Sequence, residues 1–164
     1  MSRDFDAVAA GSPLFQARLQ LLGKDVADAA PPPLGADDAR VIIDMPRDFV
    51  PGDPLTNPQG GRFGVAEGNH CVPPIVHMID AAAKAGALVG ATRDYHPHDH
   101  ASFMPQGGPF PPHCVQGTAG ARFMPEIAAA LARAFSRGGV ERVRIAFKAL
   151  HEDVDSFGAF PYKD

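Results

Sequence analysis

Between residues 94 and 103 the sequence reads DYHPHDHASF, and Asp94, His96, His98, Asp99 and His100 fall within seven positions. The whole chain holds only 7 histidines, so this is a local concentration. A fourth candidate, His113, follows in PPHC. One carboxylate and two or three imidazoles suit a divalent Zn, Fe or Mn ion. Side chains alternate in an extended segment, so Asp94 and His96 point the same way and His98 points opposite. A catalytic metal must also keep positions open for water. Not every histidine of the group can therefore be a ligand, and His98 is the expected bystander. A solvated loop carrying ordinary surface histidines is the plainer alternative.

Other chemistry-bearing groups lie at the ends of apolar runs. Val41, Ile42 and Ile43 lead to Asp44, LVGATRD ends on Asp94, and RVRIAFK ends on Lys148. A short continuous apolar run such as Val41–Ile43 has the pattern of a strand buried on both faces. Between these runs, VPPIVHMIDAAAKAGA (72–87) predicts a helix from about Pro73 closed by Gly86. MPEIAAALARAFSRG (124–138) predicts a second helix ending at Gly138 and Gly139. Strand, helix, strand, helix, strand implies a parallel α/β sheet. Ligands of such sheets bind beyond the carboxyl ends of the strands, where Asp44, Asp94 and Lys148 converge. The Pro-, Gly- and His-rich stretch 95–120 is too long for a passive connection in a compact domain.

The 164 residues fit one domain, preceded by an appendage. Ser12 and Pro13 open a predicted helix over 12–29, and APPPLGADD (30–38) reads as a linker, which places the domain at 39–164. With 45% hydrophobic residues the chain can bury a core. Its net charge of −4, with no basic run, argues against nucleic acid as a partner. No apolar stretch approaches the ~20 residues of a membrane span. Two cysteines, Cys71 and Cys114, do not make a disulfide framework. With no secretory signal at the N-terminus, a cytoplasmic location is expected.

Four segments, VIIDMPRDFVPG (41–52), ATRDYHPHDHASF (91–103), FPPHCVQGTAGARFMPEI (110–127) and FKALHEDVDSFGAF (147–160), resemble nicotinamidases (pyrazinamidases) of the isochorismatase-like cysteine hydrolases. The resemblance implies a three-layer Rossmann-like sheet with flanking helices and hydrolysis of nicotinamide to nicotinate and ammonia in NAD salvage. The substrate would be nicotinamide or a similar pyridine carboxamide. Asp44 matches the aspartate that takes a proton from the nucleophilic thiol, and Lys148 the lysine beside it. Asp94, His96 and His113 match ligands of one divalent metal ion, and His100 a position that is a further ligand in some members only. Phe49 and Phe110 match the positions that sandwich the pyridine ring. DMPRDF departs from the usual D-x-Q-N-D-F at Pro46 and Arg47, which should reshape the loop after Asp44.

In that family the cysteine nucleophile follows a later strand, beyond residues 1–164. The first expectation is therefore the front part of a longer hydrolase. A complementing C-terminal half on another chain, or a metal- and ring-binding protein without hydrolysis, are the alternatives. Another isochorismatase-family hydrolase is disfavoured by the metal pattern. Cys114 and Cys71 are weak substitutes: the first is expected to pack the loop, and the second opens a helix with nothing to place it near Asp44. A three-stranded sheet would also expose an edge, so self-association is expected.

Overall fold

A computed structural model describes residues 33–154 and 157–159. The chain divides into Met1–Pro33 and Leu34–Asp164, and every strand and helix of the described residues belongs to the second unit. The helix expected over 12–29 lies outside the described residues.

Three strands, β1 (Ala39–Ile42), β2 (Leu88–Asp94) and β3 (Val143–Lys148), pair in parallel in the order β1-β2-β3. They alternate with two helices, α1 (Val72–Ala85) and α2 (Pro125–Arg142). In α2, Ile127, Ala130, Leu131 and Ala134 are buried, a spacing that lines one helical face. In α1 the buried stripe is Val72, Ile79 and Ala82. Both stripes pack on Ile42, Val89, Ala91 and Val143 of the sheet in one core. Crossovers of one hand between strands laid down in sequence put both helices on the same face, so one face of the sheet is covered by the described residues.

This corrects the expectation that the first strand is buried on both faces. Ile42 is buried, whereas Val41 is 60% exposed and Ile43 66% exposed. The run is continuous because both faces are apolar, not because the described residues cover both.

Local signals explain the element ends. Pro125 fits the first turn of α2, where its missing N–H is not needed. Gly86 closes α1 in the left-handed region at φ 74°, with its N–H reaching the Ala82 and Ala83 carbonyls. The predicted end of the second helix corresponds to a break within α2 at Gly139 (φ 59°, ψ −159°), after which the chain turns into β3. An exposed two-pronged ion pair, Arg133 Nη2 to Asp80 Oδ2 at 2.8 Å and Nε to Oδ1 at 3.2 Å, ties α2 to α1.

Neighbouring residues on opposite faces should respond differently to truncation. Ile42→Ala should lower the unfolding free energy by about 2–4 kcal/mol. Ile43→Ala should change it by less than about 0.5 kcal/mol. Urea unfolding of the two variants checks this, and equal losses would mean that Ile43 is covered in solution.

Candidate active site

The register that packs the apolar face also sets the charged residues side by side. Asp94 and Lys148 are direct partners at the ends of β2 and β3. Lys148 Nζ lies 2.8 Å from Asp94 Oδ1 and 3.0 Å from Asp44 Oδ2. It also donates to the Phe157 carbonyl at 3.2 Å. Asp44 stands in the left-handed region at φ 53°, a conformation aspartate tolerates better than most residues. Thr92, two residues before Asp94 on the same strand face, donates from Oγ1 to Asp44 Oδ1 at 3.0 Å and accepts the Asp44 N–H at 3.2 Å. Both carboxylate oxygens of Asp44 thus have a fixed partner, yet its side chain keeps 30% of its surface exposed while that of Lys148 keeps 5%. Asp44 is the accessible corner of a buried charge cluster.

Burial alone would disfavour the charges at this cluster. For Asp94 it is outweighed by the polar contacts of His96 and Lys148 and by their charges, which hold its carboxyl below the usual range. For Lys148 burial is outweighed by the two carboxylates, and its ammonium is held above its ordinary value.

Asp94, His96 and His113 each offer a ligand atom, and those atoms lie within 4.8 Å of one another in buried surroundings. Three parts of the chain converge here: the end of β2, the segment bridged through His96 and Val115, and the turn after Pro111. His113 Nδ1 donates to the Pro111 carbonyl at 2.7 Å, which leaves Nε2 bare. Burial lowers the pKa of His113, and the Pro111 bond and nearby carboxylates reduce that effect without reversing it. Neither ring nitrogen of His96 has a hydrogen-bond partner among the described residues, and Nε2 faces Asp94 Oδ2 at 3.5 Å. Buried polar atoms of a native fold normally find a partner. A carboxylate, a bare Nε2 and a buried imidazole without a partner form a donor set that fits a divalent ion.

His100 lies directly beside that set. A carbonyl can only accept, so Nε2 donates to Val154 O at 3.1 Å, and Nδ1 accepts from Ser102 Oγ at 2.8 Å. Its ring packs on that of His96, centroid to centroid at 4.4 Å, as a buttress. His98 is 87% exposed on its side chain, beside Asp99.

Phe49 and Phe110 both lie by His113, at ring distances of 5.5 and 6.2 Å. Between them stands a residue the sequence did not single out. Phe63 is 6.1 Å from Phe49, 5.5 Å from Phe110 and 4.8 Å from His113. Glycines 60, 61 and 64 around it mark a turn, but nothing in local spacing shows that this turn reaches the histidines. Cys114 is fully buried, and burial followed by the charges of Asp94, Asp48 and Asp44 pushes its thiol far up. It is a packing residue held as the thiol, not a poised nucleophile.

Comparison with known proteins matches residues 38–136 to the Isochorismatase domain. The chain belongs to the isochorismatase family. Among curated relatives, it is 32% identical over 119 residues to the nicotinamidase/pyrazinamidase of Mycobacterium tuberculosis, covering 70% of this chain and 59% of the relative. Among solved structures it is similar to the pyrazinamidase of Pyrococcus horikoshii in complex with zinc, with a TM-score of 0.60, 35% identity, and 77% and 59% of the two chains covered. It is also similar to a protein from L. infantum in complex with nicotinate, with a TM-score of 0.58, 29% identity, and 80% and 57% covered. The chain thus spans under two thirds of the length of each.

Removing the ammonium should leave two carboxylates facing one another. Lys148→Met should cost about 3 kcal/mol in the metal-free protein at neutral pH, since it breaks a buried pair. Asp94, with its lowered pKa, contributes stability above the unfolded value of about 3.9 that is lost as pH falls through the folded one. Lys148, with its raised pKa, contributes stability below about 10.4 that is lost as pH rises through the folded one. The gap between wild type and variant should be widest from about pH 5 to 9 and close toward pH 3. Urea unfolding across pH in a chelator measures it, and a gap unchanged at pH 3 would contradict the ion-pair account.

Proposed function

We propose that this chain carries the metal-binding and acid–base residues of a nicotinamidase-type amide hydrolase, acting on nicotinamide or a similar pyridine carboxamide. The observation that carries the proposal is the single cluster in which Lys148 bridges Asp44 to Asp94, itself one of three converging metal-type ligands. The identity to nicotinamidases and the neighbour in complex with nicotinate support the substrate class.

Asp94, His96 and His113 would hold the cation, with zinc suggested by the P. horikoshii relative. When bound, a divalent ion supplies Lewis acidity and an anchor for a ring nitrogen. The chain's own residues do the rest. Phe49, Phe63 and Phe110 line an aromatic wall above His113 against which a flat heteroaromatic ring can lie. Asp44, fixed by Thr92 and Lys148 and open on one side, would accept a proton from an attacking nucleophile. Lys148, 3.0 Å from Oδ2 of that carboxylate, would stabilise negative charge developing beside it. In the full reaction water adds across the amide, the C–N bond breaks, and ammonia leaves with the nitrogen. Domain limits of 39–164, a cytoplasmic location and a role in NAD salvage belong to the same reading.

A second reading is favoured by one observation. The thiol closest in sequence to the ligands, Cys114, is buried and held protonated. On that reading the chain binds metal and ring without hydrolysis.

Zinc-loaded protein titrated with nicotinamide, with ammonia release measured in parallel, separates the readings. Ring binding with ammonia release supports the first, and ring binding without it the second. Failure to bind ring overturns both. Asp94→Ala should abolish metal retention. Asp44→Asn should retain metal and lower any ammonia release at least about 100-fold. Wild-type metal content in Asp94→Ala would remove the ligand assignment.

A further inference from the structure

The carboxylate of Asp48 is fully buried, 0% exposed, and belongs neither to the charge cluster nor to the ligand set. It sits in the short helical turn Arg47–Phe49 after β1. Its partners lie far away in sequence. Oδ2 accepts the Cys114 N–H at 2.8 Å across 66 positions. Oδ1 accepts the Arg62 N–H at 3.4 Å, and the half-exposed Arg62 guanidinium approaches Oδ2 at 3.5 Å. The Asp48 N–H in turn donates to the Gly120 carbonyl at 3.1 Å.

The Cys114 N–H is half of the His113–Cys114 peptide, so the bond to Asp48 fixes the backbone immediately after one ligand. Cys114 also accepts the His96 N–H on its carbonyl at 3.1 Å. One residue therefore joins the backbones of both histidines, and its orientation is set by Asp48. Cys114 adopts φ 47°, a left-handed conformation that a side-chain-bearing residue holds only when its surroundings enforce it. An acceptor oxygen in a buried setting, where an unpaired Cys114 N–H would be costly, is strong enough to do so.

We propose that Asp48 is a positioning residue for the metal centre: it holds the Cys114 peptide so that His113 and His96 converge with Asp94. The proposal rests on the reading that these three bind a divalent ion.

Cobalt(II) titration of the whole chain, followed by its visible absorption, tests it. Asp48→Ala should weaken cobalt binding by at least about tenfold and alter the band shape, under conditions where circular dichroism shows the fold intact. Asp48→Asn keeps an acceptor oxygen for the Cys114 N–H and should restore the wild-type band shape with most of the affinity. Wild-type affinity and spectrum in Asp48→Ala would overturn the proposal. So would an Asp48→Asn protein that is folded but as impaired as Asp48→Ala, because the acceptor would then not be what matters. Should Asp48→Ala fail to fold, the spectrum of Asp48→Asn decides alone: wild-type shape supports the proposal and altered shape overturns it. If wild-type protein takes up no cobalt, the metal reading itself falls and takes this one with it.

Discussion

One ammonium group between two carboxylates organises the site. Lys148 is nearly buried, and each of its two acidic partners arrives from a different strand end. That arrangement depends on register. Asp94 and Lys148 are paired residues of adjacent parallel strands, and Asp44 follows β1 within two positions. A slip of one residue would turn Lys148 to the helix-covered face. The apolar contacts of Val89, Ala91 and Val143 with the two helices resist that slip, so the core that stabilises the sheet also aligns its charged end.

Around this pair the loops form a shell that is unusually rich in imidazole. His96, His100 and His113 are all buried, and the ring of Phe103 lies against each of them. Their burial has different justifications. His100 is satisfied by Ser102 and a backbone carbonyl, His113 by Pro111 on one nitrogen, and His96 has no hydrogen-bond partner among the described residues. An unsatisfied buried polar group costs about 1–3 kcal/mol, and a cation held there would offset that deficit.

Much of this was legible in the sequence because it follows from periodicity. β2 and both helices follow from apolar spacing and from Pro and Gly near their boundaries, although α2 runs on past Gly139 to Arg142, and the polar residues at the strand ends follow from those. The pairing of Thr92 with Asp44 was also within reach, since Thr92 precedes Asp94 by one strand repeat. Three features were not legible for a physical reason. Exposure of Val41 and Ile43 depends on what covers the second face, which an apolar run does not encode. His100 has the residue type and spacing of a ligand, and its contacts with Ser102 and Val154 depend on the path of the loop, which spacing does not encode. Phe63 and Asp48 act through contacts with residues 47 to 66 positions away, such as Phe110 and Cys114, and local pattern carries no trace of such distances.

The backbone at Gly120 lies so close to Asp48 that a methyl group there would fall 2.0 Å from Oδ2. Position 120 consequently has no freedom to vary while the aspartate stays where it is, although it touches no ligand and lies on an ordinary loop. A deep mutational scan would record it as intolerant, and a reader of that scan alone would mistake a steric debt to residue 48 for a catalytic duty.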